Sequence, residues 1–251
     1  MKILITGATG FLGRNLIARL QKSKIDDLIL YKTNSTTTRE ELKLYTKDCD
    51  FVFNFAAVHR PQNEEEFTQV NHNLFVFLLQ SLQLNGNACP VVYTSSIQAT
   101  NGSAYGLSKI AAEDALLLHV KKMNSDGIVY RLTNIFGRWA RPNAHSVVAT
   151  FCYNINRGIP IKISDRAHQM YFYYIDDVID SFIKKIFDKG SRGKRVYCDL
   201  SQDLIYPITL GELADKLIYF KKCQEENSVP ELSTTFERKL YDTYQAYCEG
   251  T

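Results

Sequence analysis

Short runs of apolar, β-branched residues alternate along this chain with longer stretches whose apolar positions recur at helical spacing. That is the pattern of βαβ units wound on a parallel sheet. The first run, 2–6, leads into Gly7-Ala8-Thr9-Gly10-Phe11-Leu12-Gly13 and a helical stretch to about residue 20. A second run, 27–31, ends in the polar segment 32–39. The third, 51–57, is apolar throughout, as a strand covered on both faces requires. A helix over 64–84, a strand over 91–94, a helix over 104–123 and a strand over 127–132 follow. After Gly137 the alternation loosens. There 139–142 reads as a loop, 146–156 as a helix and 161–165 as a short strand. The stretch 175–187 predicts a further helix, opened by Asp176-Asp177 at its positive end. Another helix over 209–220 starts with Thr209 three residues before Glu212, a capping box. The tail 231–251 mixes charges with Phe236, Tyr241, Tyr244 and Tyr247, the composition of a docked segment.

These elements predict an α/β fold: a Rossmann-type, doubly wound parallel sheet with a small C-terminal substrate-binding lobe. The core is expected over 1–137, with 170–200 returning to it, and the lobe over 138–169 and 201–251. A length of 251 residues suffices for one such core without staples. The net charge of +3 argues against nucleic acid or an anionic membrane as the main partner. Cys49, Cys89, Cys152, Cys198, Cys223 and Cys248 are scattered, with no CxxC pair and no zinc spacing, so reduced thiols are expected and no metal. The N-terminus lacks the parts of a signal peptide, and no apolar run approaches the roughly 20 residues that span a bilayer. A soluble, cytoplasmic protein is the expectation.

Chemistry enters with the glycines. Gly7, Gly10 and Gly13 sit between the first strand and the first helix, where a tight turn lets a pyrophosphate approach the N–H groups of a helix start. Phe11 and Leu12 belong to the same cradle. At the end of the second strand, NAD-binding chains offer a carboxylate to the ribose 2′-OH. Here the residues are Tyr31-Lys32-Thr33-Asn34, with no carboxylate until Glu40, and Lys32 would attract a 2′-phosphate. NADPH is therefore expected over NADH. Tyr105 and Lys109, four residues apart, share one face of the helix over 104–123. A phenol of ordinary pKa, about 10, is a poor catalyst at neutral pH, and a neighbouring ammonium is expected to lower it. Tyr105 would then give its proton to a carbonyl oxygen, while Lys109 also binds the cofactor ribose. Thr94-Ser95-Ser96 ends the preceding strand. Ser96 is the choice for a hydroxyl that holds the substrate oxygen, with Ser95 and Thr94 as alternatives.

Together these elements resemble the extended short-chain dehydrogenase/reductase family of nucleotide-sugar epimerases, dehydratases and reductases. The residues that carry the resemblance are ITGATGFLG (5–13), DFVFNFAA (50–57), Ser96 with Tyr105 and Lys109, RLTNIFG (131–137) and YYIDDV (173–178). The resemblance implies that Ala56 and Ala57 line the cofactor and that Asn134 contacts substrate. SSIQAT (95–100), RPNAHSVVATFCY (141–153) and FERKLYDTYQAY (236–247) are similar, more narrowly, to the reductase part of the CapF-like (WbjC, FnlB) capsular and O-antigen polysaccharide enzymes. That narrower resemblance implies NADPH-dependent reduction of the C4 ketone of a UDP-2-acetamido-2,6-dideoxy-hexos-4-ulose, on the route to UDP-N-acetyl-L-fucosamine. CapF-like proteins carry a C-terminal metal-binding cupin epimerase. No cupin-like ligand cluster is present here, so that activity is expected on a separate or missing part. Where relatives hold UDP with an arginine this chain has Met170, and Arg166 is the candidate substitute. Arg60 follows the third strand and has the guanidinium fork that suits a diphosphate. Arg138, Arg141 and Asn143, with Trp139, form a polar loop of similar promise, and Asn71 would orient the active-site helix or a water, or serve as a structural amide. Homodimerisation through the helices over 64–84 and 104–123 is implied by the resemblance alone. Ile97-Gln98 stands where a dehydratase has its acidic pair, which leaves a C4 epimerase and a non-catalytic NADP sensor or scaffold as the rival readings.

Overall fold

Strand β1 (Lys2–Thr6) runs through the Gly7–Gly10 turn into α1 (Phe11–Gln21), and β2 (Ile29–Lys32) is followed by a short α2 (Arg39–Tyr45). This computed structural model describes residues 1–58, 63, 65, 67–144, 146–188 and 194–248. Next come β3 (Phe51–Asn54), a π-helical segment (Phe67–Asn73) continuing as α3 (Leu74–Leu84), β4 (Val91–Ser96), a 3-10 turn (Ile97–Thr100), α4 (Ala104–Met123) and β5 (Gly127–Leu132). The second half holds β6 (Asn134–Phe136), α5 (Val147–Asn156), β7 (Gln169–Tyr174), α6 (Ile175–Phe187), β8 (Arg195–Tyr197), β9 (Tyr206–Thr209), α7 (Leu210–Glu225) and α8 (Thr235–Ala246).

Six strands form one parallel sheet in the order β2-β1-β3-β4-β5-β8, with the change of winding direction between β1 and β3. Ligands of such sheets bind outside the carboxyl ends of the strands at that switch point. Residues 51–54 and 91–96 are buried throughout, as the unbroken apolar runs require. Against β4 pack Leu78, Leu79 and Leu82 of α3 and Ala112, Leu116 and Val120 of α4. Each buried leucine of this layer stabilises the fold by about 1.5–3 kcal/mol.

The chain divides into two units, residues 1–132 with 179–199, and 133–178 with 200–251. The first contains the parallel sheet. In the second, β6 pairs parallel with β7 and β7 antiparallel with β9, under an aromatic cluster of Phe136, Phe172, Tyr174, Tyr206 and Phe236. The divisions expected at 137 and 170 therefore fall at 132 and 178, because β6 and β7 pair with each other and β9 instead of joining the large sheet. The strand expected at 161–165 is irregular; Pro160 precedes it and, among the described residues, no strand pairs with it. Within the helix expected over 64–84, Phe67–Asn73 is π-helical and Leu74–Leu84 α-helical. The tail is docked: Leu240, Tyr244 and Tyr247 are buried, and the Tyr247 hydroxyl donates to the Ala140 carbonyl oxygen at 2.5 Å. The capping box at Thr209 and Glu212 forms, and Thr38 with Glu41 and Thr234 with Glu237 repeat it.

Candidate active site

The glycine turn is built into the ends of β1 and β3. Gly7 has φ +63°, and a Cβ there would lie 2.9 Å from the Ala56 nitrogen and the Phe55 carbonyl carbon. A side chain is thus excluded both by conformation and by contact. Thr6 ties the same two ends: its Oγ1 donates to Asn54 Oδ1 at 2.8 Å and accepts from the Phe55 and Ala56 N–H groups at 3.1 Å each. A Cβ on Gly13 would meet the Gly7 carbonyl oxygen at 2.4 Å, so α1 can press on the turn only with glycine at that place. Gly10 caps α1 in extended conformation without a side-chain acceptor, and the first turn carries no carboxylate. The first-turn N–H groups of Phe11, Leu12 and Gly13 have no acceptor within the helix, by helix geometry. Beside them, the Ala8 N–H donates to the Thr33 carbonyl oxygen, which draws the end of β2 and the exposed Lys32 to the same turn. A cradle that side chains would fill, opening on the N–H groups of a helix start, fits the pyrophosphate of a dinucleotide.

Ser96, Tyr105 and Lys109 come together at the start of α4. Ser103 caps that helix by accepting from the Gly106 N–H at 3.0 Å, and Ser96 caps the 3-10 turn by accepting from the Gln98 N–H at 3.2 Å. A Cβ on Gly106 would sit 2.2 Å from the Gln98 carbonyl oxygen. This close packing of turn on helix brings Ser96 within hydrogen-bond reach of the Tyr105 phenol. Lys109 is buried, donates to the Thr94 carbonyl oxygen at 3.0 Å, and lies 5.1 Å from the Tyr93 ring centre and 5.6 Å from that of Tyr105. Burial lowers its ammonium to about 8, against the pull of the Glu113 carboxylate. Tyr105 moves opposite to the expected direction: burial pushes the phenol up to about 12, and the Ser96 hydrogen bond only partly offsets it. Of the alternatives to Ser96, Thr94 bonds to the Asn54 carbonyl and Ser95 to Glu113, both away from the phenol.

Two further residues support the site. Phe67 of the π-helix packs on the Tyr105 ring, with centres 5.6 Å apart. Asn71, in the same segment, accepts from the Val58 N–H at 2.8 Å and donates to the Val58 carbonyl and to Ser108 Oγ. It is a structural amide that ties α4 to the chain after β3, and π-helical insertions recur at functional sites. Asn71 was among the candidates read from the sequence, as an amide in a helical stretch, whereas nothing there marked Phe67.

Of the expected substrate residues, Arg60 lies outside the described residues. Asn134 is exposed on β6 and its amide reaches the Tyr171 carbonyl at 3.4 Å, while Arg141 is exposed in the loop that follows. Arg166 is exposed, and its Nη2 alone donates to both oxygens of Asp215 at 2.7 Å. Arg138 likewise grips Asp176 at 2.9 and 2.7 Å. Trp139 beside it has φ +67°, a strained conformation for a bulky residue. Among the described residues no group of three or more His, Cys, Asp or Glu is placed to hold a metal ion, and no helix is long and apolar enough to cross a membrane.

Comparison with known proteins gives the family and the fold. The profile of the NAD dependent epimerase/dehydratase family matches residues 3–197. Over 248 residues the chain is 39% identical to a UDP-2-acetamido-2,6-beta-L-arabino-hexul-4-ose reductase of Pseudomonas aeruginosa, covering 98% of this chain and 65% of that protein. The structure of the capsular polysaccharide assembling protein CapF from Staphylococcus aureus superposes with a TM-score of 0.83 at 32% identity, over 98% of this chain and 65% of that one. The NADPH complex of RMD from Pseudomonas aeruginosa shares the fold, with a TM-score of 0.77 at 18% identity over 99% of this chain and 100% of that one. This chain thus spans about 65% of the length of the Pseudomonas reductase and of CapF.

Proposed function

This chain belongs to the NAD dependent epimerase/dehydratase family, and on that footing we propose that it is an NADPH-dependent reductase of the C4 ketone of a UDP-2-acetamido-2,6-dideoxy-hexos-4-ulose. The observation that carries the reading is a phenol, Tyr105, kept protonated by burial beside Ser96 and Lys109 at the carboxyl end of β4. Ketone reduction needs a proton donor at the carbonyl oxygen, and a phenol held at about 12 is in that state across the neutral range. A nicotinamide cofactor held in the glycine cradle would supply the hydride that the carbonyl carbon takes up. Ser96 holds the carbonyl oxygen, Tyr105 protonates it, and the Lys109 ammonium offsets the charge left on the phenolate. The Pseudomonas relative is named a UDP-2-acetamido-2,6-beta-L-arabino-hexul-4-ose reductase, and Ile97-Gln98 in place of an acidic pair disfavours dehydration.

Gly7, Gly10, Phe11, Leu12, Gly13, Ala56 and Ala57 cradle the dinucleotide in this reading, and Lys109 binds its ribose. Lys32, at a strand end free of carboxylates, favours the 2′-phosphate of NADPH over NADH. Asn134 and Arg141 contact the sugar nucleotide, with Arg60 and, once released from Asp215, Arg166 on its diphosphate. The setting is the cytoplasm, the assembly a homodimer through α3 and α4, and the C3 epimerase a separate or further part of the system.

The test mixes the purified chain with NADPH or NADH and an enzymatically prepared UDP-4-keto-6-deoxy-N-acetylhexosamine, with and without a separate C3 epimerase, following nicotinamide absorbance. Oxidation of NADPH supports the reductase, and dependence on the epimerase places reduction after epimerisation. Turnover to a C4 epimer without cofactor consumption would replace it by an epimerase. NADPH binding without oxidation would favour a sensor.

A further inference from the structure

Glu113 stands one helical turn beyond Lys109, and its side chain is 1% exposed although it is charged. Donated hydrogen bonds hold it. Ser95 Oγ donates to Oε1 at 2.6 Å and Arg131 Nε to the same oxygen at 3.0 Å. Arg131 Nη2 donates to Oε2 at 2.7 Å and the Tyr197 hydroxyl at 2.8 Å. The Arg131 guanidinium also stacks on the Tyr197 ring, 4.7 Å from its centre. One carboxylate on α4 thus gathers the ends of β4, β5 and β8. Its β4 partner, Ser95, adjoins Ser96, so two neighbouring hydroxyls bond into α4 about two turns apart, at Glu113 and at Tyr105.

We infer that Glu113 is a positioning residue for the proposed reduction: its carboxylate fixes the end of β4 that presents Ser96, and it is the buried counter-charge that keeps Lys109 an ammonium. The inference rests on the reductase reading for its functional meaning. Around the Lys109 ammonium stand the Thr94 carbonyl and the Tyr93 ring of β4, the Tyr105 ring of its own helix, and Glu113. The two phenols are held neutral by burial, which leaves Glu113 as the anion among these groups. Desolvation works against the ammonium, and Glu113 opposes it. A carboxylate that served only to tie strands together would be replaceable by a neutral amide without consequence for Lys109.

The test is an NMR titration of the lysine Nζ and Cε signals in the full chain, with Lys109 assigned by its loss in Lys109→Arg. In Glu113→Gln the Lys109 midpoint should fall by about one unit or more, the effect of removing a nearby opposite charge. Arg131→Gln, which leaves the carboxylate less neutralised, should move it upward and provides the test if Glu113→Gln does not fold. A midpoint unchanged in either folded variant would overturn the inference. The alkaline limb of NADPH oxidation by Glu113→Gln should move to lower pH in parallel, with kcat affected more than KM. Because the titration needs no substrate, an inactive wild-type protein with the expected shifts would count against the reductase reading alone.

Discussion

With its ammonium enclosed by Tyr93, Tyr105 and the Thr94 carbonyl, Lys109 titrates near 8, whereas Tyr105 stays protonated to about 12. The sign of the pH dependence follows. Burial depresses the lysine below its ordinary 10.5, so the charged form required for reduction is present below about 8 and lost as pH rises through it. kcat/KM for NADPH-dependent reduction should therefore fall on an alkaline limb with a midpoint near 8; a limb close to the ordinary lysine value would mean that Lys109 is not the titrating group. Tyr105→Phe should lower kcat by about 10²–10⁴-fold, the span of general acid catalysis, with NADPH binding by fluorescence retained. The pair itself was legible, because a spacing of four places two side chains on one helix face. The direction of the phenol's shift was not: it is set by burial under Phe67 and β4, which no local spacing encodes.

Among the elements, β1, β3, β4 and β5 could be read from their apolar runs because each is covered on both faces. Strands β6, β8 and β9, of three or four residues, carry too few positions to show a period. The run at 161–165 looked equally strand-like and finds no partner strand among the described residues. The π-helical start before α3 is dictated by what Phe67 and Asn71 must touch, not by propensity. The glycine turn is the opposite case, fully visible in the sequence and fully used. Gly7→Ala would force a β-carbon into a left-handed conformation, at a cost of about 1–2 kcal/mol, and against the Ala56 nitrogen at 2.9 Å. The expected result is a melting temperature lower by several degrees and NADPH binding weakened tenfold or more, by calorimetry and fluorescence. An unchanged dissociation constant would remove the turn from the cofactor site.

For the whole molecule, acid stability turns first on His119, fully buried between α3 and α4 with Nδ1 3.2 Å from Gln83 Nε2. Burial lowers its pKa from 6.5 to about 4, so the unfolded chain binds the extra proton between those values. Stability is thus complete above 6.5 and declines as pH falls toward 4, by about 3 kcal/mol at roughly 1.36 kcal/mol per unit. Carboxylates such as Glu237, held near 2 by Lys216, lose their contribution only below about 4.5. Urea midpoints should therefore drop between about pH 6.5 and pH 5 in the wild type and stay flat there in His119→Gln. The division of the chain into two units, each made of separated segments, bears on its synthesis as well. The polypeptide leaves the first unit after residue 132, returns at 179 and departs again after 199. Until residues 195–197 emerge from the ribosome, β5 has one side without a neighbour, and its Val129 and Tyr130 belong to the core. A nascent chain arrested in that interval presents an apolar strand edge, the template on which strands of other chains add. A fragment ending at residue 132 should consequently aggregate or remain bound to chaperones, whereas the whole chain should be released as soluble protein. Slow translation across 133–194 would then be a hazard for the cell, and haste through it a protection.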